Sequence, residues 1–526
     1  MIRPLRPPDL LCALALVVLL ALMPLLAFDF GITWDEPIQN HYGNLVYEYF
    51  RSGFHDTAAL SYFNLHYYGG FFDLACVVFQ KIFPSLDPFD ARHILNSLFG
   101  WLAICITGLT ARKHFGALAG LLAVLFLSLA PRFFADCMNN PKDLPFAVFA
   151  TLALAALLNA KREFPFYSLR AISLFVLAAA LAINIRVGGM LFLGYAGLAL
   201  GVLLFYGRRQ LTPGRVVATG LCFAGCCLAA IVLGTVFWPW AHVNPLLRPF
   251  QALEYMSHFS KEMVASRLLY AGQWLPIDQT PWHYMPRWIA ITTPIAILAG
   301  APAALLRYRN HAERGAIGLI IFATLFPVFY IIATRAAVYD GARHLLFVIP
   351  PLAILAAAGW SRLFELVQAR RAALVALVLL FAVSWYDPIR FVLANHPNQN
   401  VYFNPLVGGI KGAFLRYDLD YWNNSFKQAI DWLNKTATDS GQPLAFSTAN
   451  GNVDAPGLYS RRFPALRYVP RLHPRSRRVL YVIILMRGAP NEIGPVLSLD
   501  DLVYAVTVDE VPICLIRRME AGLESE

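Results

Sequence analysis

The chain has 526 residues, of which 58% are hydrophobic and only 14% are charged, and its formal net charge is +11. Soluble domains use about 45–50% apolar and about 25% charged residues, so this composition excludes a soluble globular protein and predicts an integral membrane protein. The positive charges lie in short loops between apolar runs and form no basic stripe with interleaved aromatic residues, which argues against nucleic acid as a partner.

Apolar runs long enough to cross a membrane as helices recur along the chain. About 20 residues, rising about 1.5 Å each, cover about 30 Å of hydrocarbon. We predict eleven transmembrane helices, at 10–28, 92–110, 115–130, 143–160, 169–185, 188–206, 215–237, 287–306, 315–333, 344–359 and 372–386. The first follows Arg3 and Arg6 like a signal peptide, but no small-residue cleavage site precedes Phe28, so we expect it to be retained.

The loops between these helices have a strong charge bias. With the N-terminus inside, every cytoplasmic loop is basic, as the positive-inside rule requires. These loops contain Arg112-Lys113, Lys161-Arg162 with Arg170, Arg208-Arg209 with Arg215, Arg307 with Arg309 and Arg314, and Arg362 with Arg370-Arg371. We therefore expect a multi-pass protein of the inner (plasma) membrane.

Residues 66–83 are apolar enough to form a twelfth crossing, but counting them would move all those arginines outside. We therefore predict that 66–83 lies in or dips into the outer interface, within a first extracytoplasmic loop at 29–91. That loop contains eight acidic residues against Arg51 and Lys81, the opposite bias to the inner loops. A twelfth transmembrane helix remains the alternative.

The chain changes character after the last predicted helix. Residues 1–387 form the predicted membrane module, which includes a second large extracytoplasmic loop at 238–286 rich in tryptophan, tyrosine and proline. Residues 388–526 contain a predicted helix at 424–435 and strand-like runs at 478–485 and 502–508, separated by turn residues. We expect a small α/β domain on the extracytoplasmic side, docked on the membrane module.

The cysteines give no sign of a metal centre. Cys222, Cys226 and Cys227 are closely spaced, but they lie in the middle of a predicted helix without histidine. We expect them to pack as small hydrophobic residues.

Polar residues that are unusual for a membrane protein all fall on the predicted outer side. Charges at this depth are costly and mark functional sites by default. The set comprises Asp35, Glu36, His66, Tyr68, Lys142, Asp143, Arg186, Arg343 and His344. Each also has a structural interpretation: Asp35 and Glu36 could cap a helix at 38–50, Lys142 could pair with Asp143 or Asp136, His344 could be an ordinary interfacial histidine, and the arginines could extend to lipid headgroups.

Four short motifs in this set resemble the GT-C glycosyltransferases, and among them the glycosyltransferase family 39 group, which includes protein O-mannosyltransferases and lipid A aminoarabinose transferases. The motifs are Asp35-Glu36 after the first helix, His66-Tyr67-Tyr68, Asp143-Leu144-Pro145, and Arg343-His344 followed by Pro350-Pro351. The resemblance covers roughly residues 8–390. It implies a membrane enzyme that takes a sugar from a polyprenyl-phosphate carrier.

The residues suggest how such a transfer would proceed. A phosphate leaving group is already stabilised, so one base can suffice. We predict Asp35 as that base with Glu36 as its catalytic neighbour, and His66, Tyr68, Asp143 and His344 as substrate-binding residues. Lys142, Arg186 and Arg343 are predicted to neutralise the carrier phosphate.

Several alternatives follow from the same residues. Asp35, Glu36, His66 and Asp143 could hold a divalent cation, although no cofactor is firmly implied and the spacing shows no metal motif. A lipid or glycan transporter or flippase could use the same charges, but its polar residues should continue to mid-membrane depth. An oligosaccharide ligase with a diphosphate-linked donor shares the chemistry. The predicted partners are a polyprenyl-phosphate-linked sugar, a lipid, glycan or protein acceptor, and membrane lipids.

Overall fold

The computed structural model of the chain describes residues 6–163, 168–207, 211–258, 267–450, 454–470, 479–497 and 499–520. Arg208, Arg209 and Arg478, which were named in the predicted loops and strands, lie outside these ranges. The described part is mostly helical, with a small sheet near its C-terminus.

The helices of the membrane module follow one another closely. They are α1 (Pro7–Leu26), α2 (Glu36–Arg51), α3 (Phe71–Ile82), α4 (Pro88–Phe115), α5 (Ala117–Ser128), α6 (Pro131–Asn139), α7 (Asp143–Glu163), α8 (Leu169–Ile185), α9 (Leu191–Gly207), α10 (Pro213–Leu233), α11 (Pro239–His242), α12 (Arg248–His258), α13 (Tyr284–Thr292), α14 (Ile295–Ala303), α15 (His311–Thr334), α16 (Ile349–Val367) and α17 (Arg371–Ala394). A hairpin of β1 (Arg267–Tyr270) and β2 (Gln273–Pro276) lies between α12 and α13.

The eleven predicted crossings coincide with helices of the structure, but fewer than eleven of the described helices qualify as membrane spans. Within the described residues, eight helices are long and apolar enough to span a bilayer, and two bent helix pairs would raise the number to ten. The remaining predicted segment, 169–185, is the apolar helix α8, which has only 17 residues, or about 25 Å. The chain is therefore a multi-pass membrane protein.

Two predicted crossings are broken. The predicted segment 115–130 ends at Ser128, and α6 continues from it at 68°. The predicted segment 287–306 is the pair α13 and α14, which meet at 110° at Thr293 and Pro294. Asn404 braces this second bend: its side-chain amide donates to the carbonyls of Ala290 and Thr293, each across 2.7 Å. These bonds satisfy carbonyls that the break would otherwise leave without partners.

The segment at 66–83 forms no long helix. It begins in a 3₁₀ turn (Phe63–Tyr67), and α3 has 12 residues, or about 18 Å, which is too short to cross about 30 Å of hydrocarbon. The twelfth crossing is thus not formed. The last helix, in contrast, is longer than predicted: α17 continues to Ala394 with Pro388 inside it.

The C-terminal part folds as predicted, into a helix-flanked sheet. It contains α18 (Gly409–Ala413), α19 (Ser425–Ser440), β3 (Leu444–Thr448), α20 (Ala455–Arg462), β4 (Leu466–Tyr468), β5 (Val479–Leu485), α21 (Pro490–Val496), β6 (Leu502–Val508) and β7 (Val511–Glu520). The strand order is β4-β3-β5-β7-β6, parallel from β4 to β5 and antiparallel beyond it.

This C-terminal part is bonded to the loop that follows α1. The Asn424 side chain accepts from the Gly31 amide at 2.9 Å, and the Tyr459 hydroxyl accepts from the Ile32 amide at 3.0 Å. Trp34 donates its indole N–H to the Tyr421 carbonyl at 2.6 Å. The sheet domain therefore fixes the backbone immediately before Asp35.

Candidate active site

Asp35 lies where this braced loop becomes α2. It occupies the N-cap position, yet its side chain accepts no hydrogen bond from the first turn of the helix. Among the residues that the structure describes, no ion pair or hydrogen bond to this carboxylate is found, and the side chain lines a cavity instead. The structure does not support the capping interpretation of Asp35, and the carboxylate is free to bind a ligand.

Glu36 points in the opposite direction. Its carboxylate is buried and accepts from the backbone amide of Thr33 at 2.8 Å and from the Thr33 hydroxyl at 3.1 Å. The His93 ring lies 3.0 Å away on α4, and Arg92 follows at 4.0 Å. Glu36 does not line the cavity, so the structure moves this predicted catalytic residue to a supporting position: it closes the turn that presents Asp35.

Lys142 is the most isolated cation of the site. It is 7% exposed, and its ammonium group has no hydrogen-bond partner among the described residues. It lies 4.1 Å from the centre of the Tyr68 ring. The expected pairing of Lys142 with Asp143 or Asp136 does not form. A buried ammonium group without a carboxylate partner needs an anion, and it faces the same cavity as Asp35.

The two predicted phosphate-binding arginines are held by carboxylates rather than extended toward lipid. The Asp143 carboxylate, at the start of α7, lies 2.5 Å from Arg186 and 3.7 Å from Arg343. Asp340 continues the chain of contacts, at 3.3 Å from Arg343 and 2.7 Å from Arg487. We call these five residues the arginine–aspartate row. Asp143 is an internal member of this row and is not among the residues that line the cavity, where it was predicted to bind substrate.

The histidine and tyrosine of the 63–68 turn separate. The Tyr68 ring enters the cavity, whereas the His66 ring turns away and packs against Tyr67 and Trp240, 4.0 Å and 5.6 Å between ring centres. His66 is therefore not brought into the site. Gly69 permits the approach of this turn to the end of α8, because a Cβ there would meet the Asn184 carbonyl oxygen at 1.5 Å.

His344 and the aromatic residues around Arg343 complete the wall. His344 lines the cavity, with its ring 4.7 Å from that of Tyr339. The guanidinium of Arg343 lies 4.7 Å from the Tyr421 ring and 5.1 Å from the Tyr339 ring. These faces fix the guanidinium in place while one of its nitrogens, Nε, stays without a hydrogen bond among the described residues.

The resulting cavity has a volume of about 380 Å³, within the range of small-molecule sites. Six of the nine predicted residues lie on its wall: Asp35, Tyr68, Lys142, Arg186, Arg343 and His344. Sequence reasoning did not find Trp34, Arg267, Tyr421 or Arg487 as wall residues. Arg267, Tyr421 and Arg487 have no local sequence signal, because they reach the cavity only through the packing of the hairpin and the C-terminal part.

The surroundings shift the pKa of two side chains in opposite ways. Burial raises the pKa of Asp35, and the charges of Arg343 and Lys142 counteract part of this rise. Burial lowers the pKa of Lys142 to about 8, against the opposing attraction of Asp73 and Asp35. Both groups can therefore change protonation state closer to neutral pH than free side chains would.

The residues predicted as possible cation ligands do not converge. Asp35 faces the cavity, Glu36 and Asp143 are used in ion pairs, and His66 points elsewhere. Within the described ranges there is no group of three or more His, Cys, Asp or Glu side chains placed to hold a metal ion. These four side chains therefore do not form a common set of ligands for a divalent cation.

The bundle of long, short and broken helices, with a charged cavity among loops and helix ends, has the GT-C fold of polytopic membrane proteins. The solved structure of an Archaeoglobus fulgidus oligosaccharyltransferase, tethered to an acceptor peptide, aligns with a TM-score of 0.50 at 12% identity, over 87% of this chain and 64% of that chain. ArnT from Cupriavidus metallidurans bound to undecaprenyl phosphate aligns with a TM-score of 0.49 at 18% identity, over 96% and 97% of the two chains. No protein-family model matches the chain, and no curated protein matches it in sequence. The structural similarity shows the fold.

Proposed function

We propose that this chain is a membrane glycosyltransferase that moves a sugar from a polyprenyl-phosphate carrier to a lipid, glycan or protein acceptor at the extracytoplasmic face. The observation that carries the proposal is the unpaired Asp35 carboxylate in one cavity with Lys142, Arg186 and Arg343. A base beside three cations matches the two needs of the reaction, which are a proton acceptor and a site for the departing phosphate.

The proposed step is a single inverting displacement. An acceptor hydroxyl attacks the anomeric carbon and forms the new glycosidic bond, while its proton passes to Asp35. The bond from the anomeric carbon to the phosphate oxygen breaks, and the electron pair leaves with the polyprenyl phosphate. Lys142 supplies an ammonium group without a carboxylate partner to the charge that develops on that oxygen, and Arg343 and Arg186 supply guanidinium groups already oriented by Asp143.

The fold supports an enzyme, because an oligosaccharyltransferase uses the same architecture. The position of the cavity also supports it over a transporter. Its charged residues belong to loops and helix ends at one end of the bundle, as the starts of α2 and α7 and the end of α8 show. A transported ligand would need binding groups at mid-membrane depth.

The proposal is tested with the full chain in lipid nanodiscs, an undecaprenyl-phosphate sugar and a panel of acceptors. Asp35→Asn should lower kcat on the order of 10²-fold or more, because the amide cannot accept the proton, while the Kd for undecaprenyl phosphate stays within about twofold. Glu48→Gln, an exposed carboxylate of the same helix α2, is the matched control and should keep full activity. Full turnover by Asp35→Asn would refute the base.

The carrier site has its own test. Arg343→Gln and Lys142→Gln should each weaken undecaprenyl phosphate binding about 10-fold or more, since each removes a buried charge from the phosphate. Unchanged affinity in both variants would place the carrier elsewhere. A diphosphate-linked donor is compared in the same assay, and faster transfer from it than from the monophosphate would favour the ligase alternative.

A further inference from the structure

The cavity has a second end that the proposed carrier site does not use. Arg267 at the start of β1 and Arg487 after β5 line it, together with the rings of Trp34 and Tyr421. These four residues come from three separate parts of the chain. We call them the distal end of the cavity, because contacts through Asp143, Arg343 and Asp340 separate Arg487 from Arg186.

The two arginines of the distal end are incompletely neutralised. Arg487 pairs with Asp340 at 2.7 Å, but this carboxylate is shared with Arg343 at 3.3 Å. Arg267 is exposed at the rim of the cavity and has no ion pair or side-chain hydrogen bond among the residues that the structure describes, so it is available to an anion from solution. One carboxylate thus serves two guanidinium groups, and a third guanidinium has none.

The cations on the cavity wall outnumber the carboxylates. Lys142, Arg186, Arg267, Arg343 and Arg487 line the cavity, whereas Asp35 and Asp340 are the carboxylates found there among the described residues. Asp143 and Asp418 add negative charge from behind the wall, beside Arg343 and Arg487 respectively. The surface that a ligand meets is therefore cationic and attracts anionic ligands.

The aromatic rings add a second kind of contact. The guanidinium of Arg487 lies 4.9 Å from the centre of the Tyr421 ring and 5.8 Å from the centre of the Trp34 ring. Contacts with these two aromatic rings therefore help to orient it, in addition to its bond to Asp340. Aromatic side chains also provide apolar surface to the C–H faces of a sugar. Guanidinium groups beside aromatic rings suit a sugar that bears an acidic group.

We propose that the distal end binds the acceptor, and that the acceptor is an anionic glycan whose phosphate or carboxylate group is bound by Arg267 and Arg487. This inference rests on the glycosyltransferase function proposed above and narrows its acceptor class. The acceptor hydroxyl then lies between this anchor and the donor, on the side where Asp35 is available to take its proton.

The experiment measures sugar binding to the full chain in nanodiscs that are saturated with undecaprenyl phosphate, so that the carrier cations are occupied. The probes are glucose 6-phosphate, glucuronate and glucose. At least one anionic probe should bind about 10-fold or more tightly than glucose, and Arg267→Gln should remove this difference. Tighter binding of glucose 6-phosphate would identify a phosphorylated acceptor, and tighter binding of glucuronate would identify a uronic acid.

Matched variants separate binding from folding. Arg461→Gln removes an exposed arginine of the C-terminal part and should leave the preference unchanged. Because Arg487 also holds Asp340, it is tested as a pair: Arg487→Lys should keep most of the preference and Arg487→Gln should lose it. Equal binding of all three sugars, or a preference that survives Arg267→Gln, overturns the inference. Failure of undecaprenyl phosphate to bind at all would instead overturn the proposed function, and this inference with it.

Discussion

Arg487 donates a hydrogen bond to Asp340 across 2.7 Å, and this bond joins the C-terminal sheet to the wall of the membrane cavity. The other oxygen of the same carboxylate lies 3.3 Å from Arg343. One carboxylate between two guanidinium groups offsets their mutual repulsion. The arginine–aspartate row contains three arginines and two aspartates, so it keeps one formal positive charge with which a bound phosphate can pair.

Asp340→Asn should reveal this balance. The amide keeps the shape but not the charge, so Arg343 and Arg487 repel each other and the Tm of the ligand-free protein falls. Undecaprenyl phosphate then replaces the missing negative charge, and the Tm gain on its addition should be larger in the variant than in the original chain. The measurement is thermal unfolding in nanodiscs with and without the lipid. Asp431→Asn, at an exposed pair with Lys427, is the control; a smaller gain in Asp340→Asn than in the original chain would contradict the prediction.

Glu36→Gln should behave differently from Asp35→Asn. Its loss removes the carboxylate that contacts the buried His93 and weakens the bond to the Thr33 amide, whereas Arg92 keeps Asp73 at 2.9 Å; we expect a cost of about 1–3 kcal/mol in the free energy of unfolding. The kcat should fall several-fold because Asp35 is less well placed. The acid limb of the pH–rate profile should stay, since Asp35 still titrates. A Glu36→Gln enzyme without that limb would make Glu36 the base.

The pH dependence of the reaction follows from two side chains. The pKa of Asp35 is raised by burial, so protonation of this carboxylate removes the base on the acid side at a higher pH than for an exposed aspartate. The pKa of Lys142 is lowered to about 8, so its ammonium group is lost on the alkaline side and donor binding weakens there. We expect a bell-shaped profile of kcat/KM, with an acid limb from Asp35 and an alkaline limb near pH 8 from Lys142.

Lys142→Arg isolates the alkaline limb. The guanidinium stays charged through this range, so the limb should move to higher pH while the acid limb is unchanged. The groups that face Lys142 are Tyr68, Asp35, Asp73, Arg186 and Arg92. An alkaline limb that remains near pH 8 in Lys142→Arg would belong to another of these groups.

The orientation in the membrane is a prediction that reporter fusions can test. Alkaline phosphatase fused after the last residue should be active, because the C-terminal part is expected outside the cytoplasm. The same reporter fused after Arg370, in the basic loop between α16 and α17, should be inactive, and green fluorescent protein should give the opposite pattern. Phosphatase activity at Arg370 would invert the topology.

Hydropathy was enough to predict the membrane helices and the strands β5 and β6, because each depends on a run of neighbouring residues, but β3, β4 and β7 were not predicted. Charges at helix ends were enough to bring Lys142, Arg186 and Arg343 to one cavity. The sequence pattern could not predict the direction in which each side chain points. Asp35 and Glu36 are adjacent, yet one faces the cavity and the other His93, and that choice depends on the turn closed by Thr33. Arg487 was missed because its partner Asp340 is 147 residues away in sequence.

The brace at Asn404 determines the order in which the protein can mature. Its amide supports carbonyls of the α13–α14 bend, more than a hundred positions earlier in the chain. The bend is synthesised before Asn404. Until the C-terminal part has been synthesised and docks, the two carbonyls of the bend lack the hydrogen bonds from Asn404. This end of the bundle is therefore completed only after the membrane helices have been translated, and a chain cut short before Asn404 lacks the side chain that supports the helix break.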